Sequence, residues 1–98
     1  EIMAVNEVMA ALSDETRRQI LEILRKGKTN TGDLATMIGM TPQALSYHLR
    51  KLKNADLIYE TRYKNFIYYE WQGKNLKVTV LLQFAKIFPL APSLISNR

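Results

Sequence analysis

Between Thr41 and Leu52 the chain reads Thr-Pro-Gln-Ala-Leu-Ser-Tyr-His-Leu-Arg-Lys-Leu, and the residues able to do chemistry there share one side of a helix. At about 100° per residue, Gln43, Ser46, Tyr47 and Arg50 gather on one face. Leu45, Leu49 and Leu52 gather opposite them, with His48 at the border. A face that is merely solvated ordinarily carries Glu and Lys. Gln, Ser, Tyr and Arg are side chains that bond base edges and phosphates, so this pattern points to reading of a nucleic acid. Thr41 suits the helix cap and Pro42 the first helical position; Thr41 also joins the candidate contacts. Arg62 and Lys64 lie at the tip of an expected hairpin, within reach of phosphates or a minor groove. The plainer alternatives are that Tyr47 packs on the hairpin, that Arg50 is a surface charge and that His48 is a hydrogen-bonded structural residue.

The remaining side chains exclude other chemistries. The chain has no cysteine and one histidine, which removes disulfides, thiolate metal sites and thiol redox switching. Nor does it contain a glycine-rich phosphate loop or an inward pair of carboxylates, so no enzymatic constellation forms and neither a metal nor a cofactor is expected. Fourteen Lys and Arg against nine Asp and Glu give a net charge of +5, which favours an anionic partner. No signal peptide is visible. The apolar run 78–95 contains Gln83, Lys86, Pro89 and Pro92, so membrane insertion is not expected and a cytoplasmic location is.

Positioning the polar face requires a scaffold, and 98 residues suit a single domain over 1–98. Ile2, Val5, Val8, Met9 and Leu12 recur at helical intervals in a first helix. Ser13 is the expected cap of a second helix, which buries Ile20, Leu21, Ile23 and Leu24 and stops at Gly27. Arg17 and Arg18 read as surface residues of that helix, one of them pairing with Glu22. Asn30 opens a third helix with Asp33 at the reciprocal capping position; Leu34, Met37 and Ile38 face inward and Gly39 ends it. Only Met40 separates Gly39 from Thr41, a helix-turn-helix spacing. From Leu57 to Trp71 the period falls to two around Lys64-Asn65, which predicts a two-stranded wing whose turn uses the tolerance of Asn65 for positive φ.

A last helix over 75–88 is apolar nearly all round, more than a monomer of this size can bury. Val5, Val8 and Met9 from the first helix, with Leu81, Leu82, Phe84, Ala85 and Phe88 from the last, are therefore the expected dimer contacts. The fold class that follows is mainly α with a two-stranded β-wing: a winged helix-turn-helix of about five helices, dimeric through its first and last helices.

Ala11-Leu12-Ser13-Asp14-Glu15-Thr16-Arg17 resembles the Ala-Leu-Ser-Asp-Pro-Thr-Arg opening of the ArsR/SmtB bacterial repressors, with Glu15 in place of the usual proline. Gly32-Asp33-Leu34-Ala35, Ser46-Tyr47-His48-Leu49-Arg50-Lys51-Leu52 and Phe66-Ile67-Tyr68-Tyr69 are similar to that family's third helix, recognition helix and wing. This resemblance, over about residues 8 to 72, implies a cytoplasmic homodimer that occupies a near-palindromic double-stranded DNA operator and represses transcription, released by a protein or small-molecule inducer. Metal-sensing members use cysteines in the third helix or Asp, His and Glu in the last. Neither ligand set can be assembled here, which argues against metal sensing, and among the family's branches the chain resembles the autorepressor type. The rival functions are a winged-helix protein-interaction module, with the aromatic hairpin as its contact, and an RNA-binding protein.

Overall fold

A computed structural model describes residues 2–72, with side chains from Asn6 onward. The elements run α1 (Ile2–Leu12), α2 (Glu15–Lys26), β1 (Thr29–Asn30), α3 (Thr31–Ile38), α4 (Pro42–Asn54), β2 (Ile58–Tyr63) and β3 (Phe66–Trp71). The helices pack around one core, whose fully buried side chains are Ile20, Leu34, Leu45, Leu52, Leu57 and Ile58. The inward stripe of α4 is the expected one, Leu45, Leu49 and Leu52.

The sheet has three antiparallel strands in the order β1-β3-β2, not two. Thr29 pairs with Tyr69 and Asn30 with Tyr68, so the short link between α2 and α3 adds a strand to the wing. Two residues are too few for alternation to show in a sequence. Four helices are described; the expected fifth, over 75–88, lies outside the described residues, as do Leu81, Leu82, Phe84, Ala85 and Phe88. Among the described residues no helix is long and apolar enough to cross a membrane.

Several local expectations are corrected. Asp14, not Ser13, caps α2: its carboxylate accepts from the Arg17 backbone N–H at 3.0 Å, while the Ser13 hydroxyl donates to the Ala10 carbonyl at 2.7 Å and finishes α1. A charged acceptor at that end also gains from the helix dipole. Arg17 is buried at 8 % exposure instead of lying on the surface, and Glu22 pairs with Arg25 at 2.8 Å. Asn30 caps α3 by accepting from the Asp33 N–H at 2.8 Å, but Asp33 returns the bond to the Asn30 side-chain amide at 3.0 Å rather than to its backbone. Met37 is 61 % exposed and Ala35 is buried, because the inward arc of α3 is centred between Leu34 and Ala35.

Gly27 closes α2 with extended backbone, φ 164°, whereas Gly39 closes α3 in the left-handed region at φ 83°. In the wing, Tyr63 pairs with Phe66 across Lys64-Asn65, and it is Lys64, at φ 56°, that takes the positive φ expected of Asn65. A two-residue hairpin needs at least one such residue to match the strand twist, and its first position meets that need here.

Candidate nucleic-acid interface

The helix-turn-helix is fixed by caps at both of its helices. The Gly39 N–H bonds the Ala35 carbonyl at 2.8 Å and turns the chain, and Thr41 Oγ1 accepts from the Ala44 N–H at 3.2 Å to start α4. With Leu45, Leu49 and Leu52 locked in the core, the opposite side of α4 must face out. Gln43, Ser46, Tyr47 and Arg50 are all exposed there, and among the described residues Gln43, Ser46 and Arg50 make no side-chain hydrogen bond. Their donors and acceptors are available to a ligand. Thr41 spends its acceptor on the cap and keeps its hydroxyl proton for a phosphate or a water.

Two further residues belong to this face and were not picked out from the sequence. Asn54, eleven positions after Gln43, returns to within roughly 20° of it around the helix, and it is exposed. Lys51 is exposed, with its Nζ 5.5 Å from the centre of the Tyr47 ring. The same angular count that selected Tyr47 contains both. They fell outside the set because a lysine and a helix-terminal asparagine are ordinary on solvated faces.

The wing presents Arg62 and Lys64 exposed at its tip, with Lys64 Nζ 5.3 Å from the Tyr63 ring. The charges around them are sorted. Lys53 bonds Glu60 at 3.0 Å, Lys28 lies 3.4 Å from Glu70 and Arg25 lies 2.8 Å from Glu22. Arg50, Lys51, Arg62 and Lys64 have no carboxylate partner among the described residues. The two wing acids, Glu60 and Glu70, are thus paired with Lys53 and Lys28, and among the described residues the cations of the candidate face have no carboxylate beside them. Such a distribution attracts a polyanion.

Hydrogen-bonded acids also fix the wing's phenols. The Tyr59 hydroxyl donates to Glu70 at 2.6 Å, and this bond, with the carboxylate's charge, raises its pKa above the usual tyrosine value. Burial raises that of Tyr69, reinforced by the charge of Glu60. Tyr59, Tyr63 and Phe66 are exposed and Tyr69 is in the core. Of the proposed dimer contacts, Val8 is buried within the chain and Met9 half-buried; the side chain of Val5 lies outside the described residues. Among the described residues no group of three or more His, Asp or Glu is placed to hold a metal.

Comparison with known proteins agrees with this geometry. Residues 14–60 match the pattern of the bacterial regulatory protein, arsR family. The chain is 40% identical over 77 residues to the transcriptional repressor SdpR of Bacillus subtilis, covering 79% of this chain and 80% of that protein. It is 38% identical over 79 residues to the arsenical resistance operon repressor of the same organism, covering 80% and 75%. The solution structure of the homodimeric winged helix-turn-helix DNA-binding domain Mb0332 from Mycobacterium bovis superposes with a TM-score of 0.77 at 27% identity, over 99% of this chain and 86% of that one. The match runs from the Asp14 cap through the recognition helix into β2, and on these grounds the chain belongs to the arsR family of bacterial regulatory proteins.

Proposed function

We propose that the chain is a sequence-specific double-stranded DNA-binding repressor, a cytoplasmic homodimer that occupies a near-palindromic operator. The observation that carries this reading is the exposed polar face of α4, where Gln43, Ser46 and Arg50 make no side-chain hydrogen bond among the described residues, flanked by cations with no carboxylate partner among them. In that role Gln43 and Tyr47 read base edges, Ser46 and Thr41 bond the backbone or a bridging water, and Arg50, Lys51, Arg62 and Lys64 neutralise phosphates. The repressor names of its relatives and the homodimeric neighbour support the same assignment. Dimerisation joins Met9 of α1 to the apolar stretch bearing Leu81, Leu82, Phe84, Ala85 and Phe88, which places two recognition helices on successive turns of one DNA face.

The test is a mobility-shift titration on the chain's own upstream region against a random duplex of equal length, at two salt concentrations. A repressor of this kind discriminates between the duplexes and loses affinity with salt. The exposed wing aromatics, Tyr59, Tyr63 and Phe66, favour a protein-interaction module as the second reading. That reading gains if the chain shows no preference for the upstream duplex.

A further inference from the structure

Arg17 is the one charged residue buried among the described residues, and it carries no base contact in the function proposed above. Its guanidinium spans three groups. Nε donates to the Ala11 carbonyl at 2.9 Å, Nη2 donates to the Ala10 carbonyl at 3.3 Å, and Nη1 lies 3.1 Å from His48 Nδ1. The first two acceptors are carbonyls near the end of α1. The third is on the recognition helix, at the border between its core and its polar face. One rigid fork therefore ties the helix expected at the dimer contact to the helix expected in the groove.

The chemistry of the pair fixes the state of the histidine. A guanidinium has five donors and no acceptor, so Nδ1 must offer its lone pair and the ring proton must sit on Nε2. Asp14 Oδ1 lies 3.9 Å from the same Nδ1, beyond hydrogen-bond reach, and already accepts from the Arg17 N–H. The His48 ring meets Tyr47 edge-on at 5.3 Å, so its orientation bears directly on a proposed base reader. Burying a guanidinium is costly, and neutral acceptors offset that cost less than a carboxylate would. A residue so placed does little for stability that a well-packed apolar side chain would not, whereas its fork holds two helices at a set distance and angle.

We propose that Arg17 and His48 are positioning residues for operator reading, a latch that sets the recognition helix against α1 and so fixes the spacing of the two recognition helices in the dimer. Two half-sites lie about 34 to 36 Å apart on DNA, and side chains that read base edges tolerate little displacement, so the seat of α4 on the dimer helix governs discrimination. The inference rests on the DNA-binding function proposed above.

The test compares the parent with His48→Phe, which keeps a ring and removes the acceptor, and His48→Asn, whose Oδ1 can take the place of Nδ1. Each is titrated, as folded dimer well below its melting temperature, with the upstream duplex and with a random duplex. Because the chain has a single histidine, a nitrogen-correlated NMR spectrum of the parent reports its tautomer without ambiguity. The expected results are the Nε2–H tautomer, a loss of about tenfold in affinity for the upstream duplex in His48→Phe with unchanged binding to random DNA, and recovery to near the parent in His48→Asn. An Nδ1–H ring, or a His48→Phe variant with the parental discrimination ratio, would overturn the latch. So would an equal loss on both duplexes. A parent chain that fails to discriminate overturns the DNA-reading function itself.

Discussion

Single side chains on α4 divide into buried ones that hold the helix and exposed ones proposed to read DNA, and the two kinds make opposite predictions. Leu49 is buried, so Leu49→Ala is expected to cost about 2 to 5 kcal/mol of folding stability, measured by denaturant unfolding. Gln43 and Tyr47 are exposed, so their alanine variants are expected to keep their melting temperature and, as proposed base readers, to lose about 1 to 3 kcal/mol of operator binding with relaxed preference at one base pair per half-site. Arg50→Ala, and equally Lys51→Ala, weakens all duplexes alike and flattens the salt slope by about 1 per contact, or about 2 for a symmetric dimer. The buried and exposed sides of α4 were legible in the sequence because they depend only on helical period. Arg17 was not. Nothing in Asp14-Glu15-Thr16-Arg17-Arg18 distinguishes a guanidinium folded back on the preceding helix from one in water, since its partners, Ala10, Ala11 and His48, are set by packing. Tyr69 adds a pH dependence. Its pKa is raised in the fold, first by burial, so the folded state holds the phenolic proton more tightly than the unfolded chain does. The stability this contributes is full below the ordinary tyrosine value of about 10 and is lost as pH rises through the raised folded value. Tyr69→Phe should show a shallower alkaline fall in melting temperature than the parent; an unchanged slope would assign the fall to other groups.

Elements follow from caps and turns, and here two glycines that look alike in the sequence differ physically. Gly39 has φ 83°, which a side chain adopts only with strain, so Gly39→Ala should cost about 1 to 2 kcal/mol and loosen the turn that leads into α4. Gly27 has extended backbone, and an added Cβ there meets nothing within 4 Å, so Gly27→Ala should leave stability unchanged or raise it by about 0.4 to 1 kcal/mol. Thermal unfolding of the two variants decides between them. A helix-stop glycine was readable at both places, but not which one needed its freedom, because φ depends on where the chain goes next. β1 escaped for a related reason. Thr29 and Asn30 are strand only because Tyr69 and Tyr68 stand beside them, and a two-residue pairing leaves no period to detect. The wing itself was legible in its alternation, and its turn position was legible in Lys64-Asn65; which of the two residues takes positive φ is decided by strand register.

For the whole molecule, the proposed dimer contact and the proposed DNA surface are linked through α1, which packs on α4, because the two recognition helices of a dimer must match one operator. If the apolar stretch 78–88 forms the contact, Glu at Leu82 or Phe84 buries an unpaired charge, and sedimentation should show monomer or aggregate in place of dimer. The chain has no cysteine and one histidine and so assembles no metal ligand set, and zinc, cadmium and arsenite are expected to leave operator affinity unchanged. A tenfold loss of affinity with stoichiometric ion binding, worth about 1.4 kcal/mol, would reveal a ligand set of another kind. The exposed face of α4 is the proposed reader of DNA. That role is tested most directly by replacing Gln43, Ser46, Tyr47 and Arg50 together with alanine and titrating the folded dimer against the upstream duplex over a range of salt. The expected result is loss of discrimination between upstream and random DNA, a flatter salt dependence and an unaltered melting temperature. A folded quadruple variant that binds the upstream duplex with parental affinity and salt slope would contradict it.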